Sequence, residues 1–381
     1  MKTYQEAEEI LKKIRSCKKI LLTLHRGPDA DSIGSNLALY QYLKDLGKEV
    51  DLISVDEPSR NLSFLEGFPE IKIEDIAEKD LSAFDLILIL DSGSPEMLTY
   101  KQGFIFSNNE QVIVIDHHKT NTGYGKLNLI DSDTGSVSEI IYKLLEAWGA
   151  QMSPGIATSL LTGIIGDTGS FRFESSVSPE TFIVASSLLE KRARLGQAVY
   201  NLFQSTELAT LKYWGVILKN LEIKESNGIK FAFSAVSEDE LGYPPSRNTL
   251  GVSPRMKAKK FSLRRDSAPD EAWGEDIPTA RSRELHIDKS SKSGAATVFF
   301  SSVSGTEFGL LLTQDKIAID GSLRSRSSLD VAVIAEVCGG GGHKAAAGFR
   351  YMLDGKSFDE GVRTILDVVN DVLAKQHVEN S

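Results

Sequence analysis

The sequence predicts an α/β protein. An N-terminal domain would be a mainly parallel sheet with helices on both faces, followed by a smaller C-terminal α/β domain. Three observations predict it. Helix-type and strand-type segments alternate through the first half of the chain, which is the rhythm of a parallel sheet with crossover helices. The runs LLTL (21–24), LILIL (86–90) and VIVI (112–115) have the length and continuous apolar character of strands buried on both sides. At 381 residues the chain exceeds what one hydrophobic core supports, so two domains are expected.

Residues 4–17 read as an amphipathic helix with Ile10, Leu11 and Ile14 at its apolar positions. A strand is expected at 19–24, a helix at 33–46, and strands at 49–54, 85–90 and 111–115. Helices are expected near 135–148, 154–166 and 179–192. The basic stretch KRARLGQAVYNLF (191–203) reads as a linker helix or hinge. The expected division is therefore 1–192 for the first domain, 193–205 for the linker and 206–381 for the second domain. That second domain opens with a helix to about residue 220 and strands near 221–225 and 229–236, and it closes with a helix at 357–374. Residues 245–293 have few apolar positions, no sustained period and many Ser, Pro and charged residues, the composition of a flexible insert.

Composition narrows the class. Forty-three Lys and Arg against 53 Asp and Glu leave a net charge of −10, which argues against sequence-independent coating of long nucleic acid through many basic phosphate contacts. A small anionic ligand remains compatible, because cations and a few arginines supply a positive field locally. No apolar run reaches the roughly 18 residues of a membrane span. The N-terminus has no signal-peptide core, so the cytoplasm is the expected location, with no membrane partner. Cys17 and Cys338 form no disulfide framework or Cys-rich metal motif.

The apolar runs end in residues of one chemical kind: LLTLHRGPDAD (21–31), LILILDSG (86–93), VIVIDHHKT (112–120) and LLTGIIGDTGSF (160–171). An open α/β sheet gathers the carboxyl ends of its strands at one crevice. His25, Asp29, Asp31, Asp91, Asp116, His117, His118 and Asp167 are therefore expected to converge. A lone Asp after a strand is more often a helix N-cap, but eight such residues on four segments point to a site. Crowded carboxylates would repel and hold protons unless cations lay among them, so two divalent metal ions are expected. Mixed imidazole and carboxylate ligands suit Mn²⁺ best, with Mg²⁺, Co²⁺ and Zn²⁺ as competitors. Gly34 and Ser35 are expected to open a helix whose amides face an anion.

A second candidate site lies near the C-terminus. In SLRSR (322–326), Arg324 and Arg326 are two apart and would share one strand face, able to grip adjacent phosphates. Gly339, Gly340, Gly341 and Gly342 would allow close backbone approach and offer amides to an anion, and His343 could add a hydrogen bond or stack on a base.

Taken in order, these motifs resemble the DHH phosphoesterase superfamily. Asp116-His117-His118 matches its name-giving triad, beside HxxPDADSIGS at 25–35, Asp91 after an apolar strand and GDTGSF at 166–171. GGGGHKAAAG (339–348), preceded by SLRSR, resembles the substrate-binding domain of one branch, and the whole is most similar to the nanoRNase/pAp-phosphatase group. The segment after Asp91, SGSPEMLTY, lacks the Arg that relatives place there. The resemblance implies hydrolysis of short RNA oligonucleotides and of 3′-phosphoadenosine 5′-phosphate (pAp) to AMP. It also implies that His25, Asp29 and Asp91 hold one metal while Asp31, Asp91, His117 and Asp167 hold the other. His118 would act at the phosphate and Asp116 would orient an imidazole. Arg324, Arg326, Gly340, Gly341, Gly342 and His343 would bind substrate. The alternatives are a phosphodiesterase of pApA or cyclic di-AMP, a RecJ-like single-strand exonuclease, and a nucleotide binder without catalysis. Homodimerisation is left open.

Overall fold

A computed structural model describes residues 2–106, 111–205, 208–240, 299–325 and 329–379. The expected insert at 245–293 and the candidate Arg326 lie outside the described residues. The chain divides into two compact units, Met1–Ser205 and Thr206–Ser381.

The first unit is built on six strands: β1 (Lys19–Thr23), β2 (Glu49–Ser54), β3 (Ile71–Ile73), β4 (Leu86–Leu90), β5 (Val112–Asp116) and β6 (Leu127–Ile130). They pair in parallel in the order β3-β2-β1-β4-β5-β6. β4 and β5 are buried along their whole length, as their unbroken apolar sequences require. Alternate residues serve two cores. Leu88, Leu90, Ile113 and Ile115 join a cluster with five helices: α1 (Ala7–Ser16), α2 (Ala30–Asp45), α3 (Val137–Ala147), α4 (Pro154–Asp167) and α5 (Pro179–Glu190). Ile87, Ile89, Val112 and Val114 point the other way, onto Ile76, Phe84, Leu98 and Phe104. Short turns such as Ile76–Glu78 and Pro95–Leu98, rather than long helices, cover that face among the described residues.

Gly34 lies one turn inside α2, where a Cβ would stand 2.4 Å from the Ser159 carbonyl oxygen of α4. The two backbones meet there with nothing between them. Gly34 thus joins two helices, and the Gly34-Ser35 pair does not open one: the helix begins at Ala30, after the Asp29 cap. Residues 195–204 pack into the same unit: α6 (Leu195–Val199) buries Ala198 in the cluster that holds Leu160 and Ile164 of α4.

The second unit starts with α7 (Leu208–Lys219) and carries β7 (Glu222–Ser226), β8 (Ile229–Val236), β9 (Phe308–Asp315) and β10 (Ala318–Ser325). It continues through α8 (Ala332–Val337), β11 (Gly341–His343), β12 (Ala346–Met352) and α9 (Phe358–Glu379). The sheet order is β11-β12-β10-β9-β8-β7, antiparallel except for the β8–β9 pair. Period-two alternation sends Phe231, Phe233, Leu310 and Leu312 toward Ile365 and Val369 of α9, while Ala232 and Leu311 face Tyr213 and Ile217 of α7. Among the described residues no helix is long and apolar enough to cross a membrane.

Candidate metal centre

The sheet order reverses between β1 and β4, so the carboxyl ends of β1, β4 and β5 open side by side at the switch point. His25 follows β1, Asp91 follows β4 directly, and Asp116 ends β5 with His117 and His118 next in line. α2 brings Asp29 and Asp31, and α4 ends on Asp167. Three interlocking groups result: His25, Asp29 and Asp91; Asp31, His117 and Asp167; Asp91, His117 and His118. Within each group, ligand-type atoms lie within 4.8 Å of one another. Asp91 and His117 each belong to two groups, so the eight predicted residues form one cluster once Asp116 is added behind His118.

Asp91 is 2 % exposed and sits at φ +57°, a left-handed conformation that is rare and strained outside glycine. Its Oδ2 lies 3.5 Å from His25 Nε2 and its Oδ1 3.5 Å from His117 Nε2. His117 Nε2 is also 3.4 Å from Asp167 Oδ2. Each imidazole is anchored from behind. His25 Nδ1 lies 2.8 Å from the Arg26 carbonyl and His117 Nδ1 3.2 Å from the Thr134 carbonyl. Nδ1–H donation to those carbonyls turns both Nε2 lone pairs toward carboxylates, an arrangement that makes sense with a cation between them.

Asp31 is fully buried, and α3 receives it end-on: the Val137 amide donates to Oδ2 at 2.6 Å and the Ser138 amide to Oδ1 at 2.8 Å. A helix N-terminus is a favourable place for a carboxylate. Asp29 plays the cap and the cluster at once, its Oδ1 accepting from the Asp31 and Ser32 amides at 3.0 Å while Oδ2 stands 3.9 Å from His25 Nε2. Asp116 is fully buried behind His118. Its carboxylate binds His118 Nδ1 at 2.8 Å and the Asn121 amide nitrogen at 2.7 Å, so the imidazole it orients is that of His118, whose side chain is 40 % exposed.

Without cations the charges balance awkwardly. Burial and the neighbouring Asp91 push Asp31 up to about 7, and burial with the charges of Asp31, Asp29 and Asp91 holds Asp167 well above the carboxylate range. Burial disfavours charge on His25 and His117, yet Asp91 and its neighbours outweigh it and raise both to about 9. Asp91 itself is buried, but the two imidazoles draw it below the ordinary range. The buried Asp91 Oδ1 has no hydrogen-bond partner. An oxygen of this kind between two imidazoles and other carboxylates fits a divalent ion, which would take over the role of those protons.

The sequence pattern did not reveal the supports of this cluster: Asn121, the Thr134 carbonyl and the α3 amides. One local signal existed. Ser136-Val137-Ser138-Glu139 has the S-x-x-E spacing of a helix start, and the Ser136 hydroxyl does accept from the Glu139 amide at 3.2 Å.

In the second unit the backbone register places Arg324, Ala346 and His343 in one row across β10, β12 and β11. Arg324 is half-buried and donates to the Leu323 carbonyl at 2.8 Å. Gly340 has a packing reason of its own, since a Cβ there would meet the Gly348 carbonyl oxygen at 2.2 Å. Gly341 has open space around it.

Residues 19–164 match the model of the DHH family, N-terminal domain. That match lies within the first unit, which therefore carries a DHH domain. Among similar proteins, the bifunctional oligoribonuclease and PAP phosphatase NrnA of Thermus thermophilus is 28 % identical over 369 residues, 96 % of this chain and 93 % of that protein. The Bacillus subtilis protein of the same name is 26 % identical over 68 % of this chain and 82 % of its own length. An exopolyphosphatase-related protein from Bacteroides fragilis shares the fold, with a TM-score of 0.76, 21 % identity and 96 % of each chain covered.

Proposed function

We propose that this chain hydrolyses phosphoester bonds in short oligoribonucleotides and in pAp, releasing AMP from the latter. The observation that carries the reading is the convergence of four aspartates and two histidines around the buried, unpartnered oxygen of Asp91 on a DHH domain. The names of two relatives, oligoribonuclease and PAP phosphatase, support the substrate class. His25, Asp29 and Asp91 would hold one divalent ion, and Asp31, Asp91, His117 and Asp167 a second, with Mn²⁺ the ion of choice. Bound there, divalent ions supply Lewis acidity and offset negative charge on the phosphate.

The remaining chemistry belongs to the chain. His118, exposed at the edge of the cluster and held at Nδ1 by Asp116, presents Nε2 for a proton or hydrogen bond to a phosphate or leaving oxygen. The hydrogen bond that Nδ1–H donates to Asp116 raises its basicity. Asn121 fixes Asp116 in turn, so the pair cannot rotate freely. Arg324, Arg326, His343 and the amides of Gly340, Gly341 and Gly342 are proposed to hold the nucleotide.

The test is an assay of purified chain with Mn²⁺ on pAp, pApA, a 2- to 5-mer RNA series, a long single strand and cyclic di-AMP. AMP release from pAp and cleavage of the short RNAs are expected. Rates that keep rising toward the long strand, or turnover of cyclic di-AMP alone, would replace this substrate assignment.

A further inference from the structure

His117 is oriented by a carbonyl, and that carbonyl belongs to a turn with an anchor of its own. Asp131 follows β6, and its side chain is 3 % exposed. Its Oδ2 accepts from the Thr134 hydroxyl at 2.6 Å and from the Tyr4 hydroxyl at 2.8 Å, and its Oδ1 from the Lys2 ammonium at 2.7 Å. The backbone closes the same turn, with Thr134 N donating to the Asp131 carbonyl at 3.2 Å and Asp131 N to the Asp116 carbonyl at 2.9 Å. Thr134 then accepts from His117 at its carbonyl. One carboxylate thus ties the segment before α1 to the turn that sets the orientation of a cluster imidazole.

We propose that Asp131, fastened by Lys2 and Tyr4, is a positioning residue for His117: it fixes the Thr134 carbonyl and thereby the direction of His117 Nε2. The Asp131 side chain bonds none of the ligand-type atoms of the cluster; its partners are Lys2, Tyr4, Thr134 and the Asp133 amide. The physical ground is that a free turn would let the Thr134 carbonyl swing, and an imidazole whose Nδ1–H has lost its acceptor loses both its tautomer and its ring angle. Burying a charged carboxylate at this point is unfavourable unless it is fully paired, and here it receives three charge-assisted or hydroxyl donors. Local packing alone does not account for such a set of donors, since the turn is already closed by backbone bonds.

This inference rests on the reading of the cluster as a metal site, and the experiment separates the two. Metal-free full-length wild type, D131N, H117A and the D131N/H117A double variant are titrated with Mn²⁺ by calorimetry. D131N should weaken Mn²⁺ binding about 10- to 100-fold in the wild-type background, the loss typical of a ligand's outer support. It should cost less than about twofold in the H117A background, because the partner it positions is gone. Nitrogen NMR of His117 should show the single Nδ1–H tautomer in wild type and a mixture in D131N, while KM for pAp at saturating Mn²⁺ stays unchanged. Equal weakening in both backgrounds would make Asp131 a general structural residue and overturn the proposal, as would no weakening in either. Should D131N fail to fold, K2M and Y4F remove its partners singly, and the same cycle with H117A reads the same coupling at smaller amplitude. Wild type that binds no Mn²⁺ would take down the metal reading along with this one.

Discussion

The two units solve the placement of polar residues in opposite ways. In the first, the candidate side chains sit at or near the ends of parallel strands and helices, and most are fixed by another group: Asp31 by the α3 amides, His25 and His117 by carbonyls, His118 by Asp116, Asp116 by Asn121. In the second, Arg324 and His343 are placed by strand register in an antiparallel region, and the Arg324 guanidinium folds back on its own backbone. Parallel strands end together at a crevice, whereas antiparallel strands set residues in rows along a face. The first arrangement suits ions, which demand fixed distances. The second is the row proposed to hold phosphates.

Substitutions can break that contrast. The largest effect is expected from Asp91→Ala, which removes the residue common to two of the ligand groups: turnover should be abolished and bound Mn²⁺ lost, measured by steady-state assay and metal analysis. Near-normal activity with full metal occupancy would end the two-metal reading. His118→Ala should keep its metal yet lose about 10²- to 10⁴-fold in kcat, the usual worth of a positioned proton donor. If metal leaves with it, His118 belongs among the ligands.

In the second unit Arg324→Ala should raise KM for pAp and short RNA about 10- to 100-fold, the cost of a lost hydrogen bond to a charged group, with kcat little changed. Unchanged KM would place phosphate binding elsewhere. A smaller effect tests the scaffold. Gly34→Ala puts a methyl 2.4 Å from a carbonyl oxygen of α4 and should destabilise the first unit by about 1–3 kcal/mol, as overpacking does. Thermal melts should show it, and a transition of the second unit, if resolved, should not move.

The smallest effect is in pH. Burial would raise the Asp131 carboxyl, but the Lys2 ammonium and the Thr134 and Tyr4 hydroxyls hold it down at about 2. A depressed carboxyl contributes stability that is present above its unfolded pKa of roughly 3.9 and fades as pH falls toward 2. The stability gap between wild type and D131N should therefore be constant from neutral pH to about 4.5 and narrow below it, as urea titrations at several pH values would show. A gap that widens on acidification would reverse the assignment of charge.

Much of the first unit was legible in the residues. Unbroken apolar runs at 86–90 and 112–115 announced buried parallel strands, and metal-type residues at their ends announced a common crevice, because period and apolar content are local properties of a chain. At Gly34 the local pattern suggests a helix start because it does not contain the proximity of α4. Asp29 showed a cap and a ligand-type residue in the same letter, and it serves as both.

The sequence by itself thus determined the fold class, the crevice and the kind of side chain that lines it. Only the tertiary structure decided how those side chains are aimed. Asp31 is received by amides 106 and 107 residues away, and His117 by a carbonyl 17 residues away on a turn held by Lys2 and Tyr4 near the N-terminus. Hydrogen-bond direction depends on where two distant backbones meet, and that is settled by packing of the whole sheet and its helices, not by the spacing of residues along one strand.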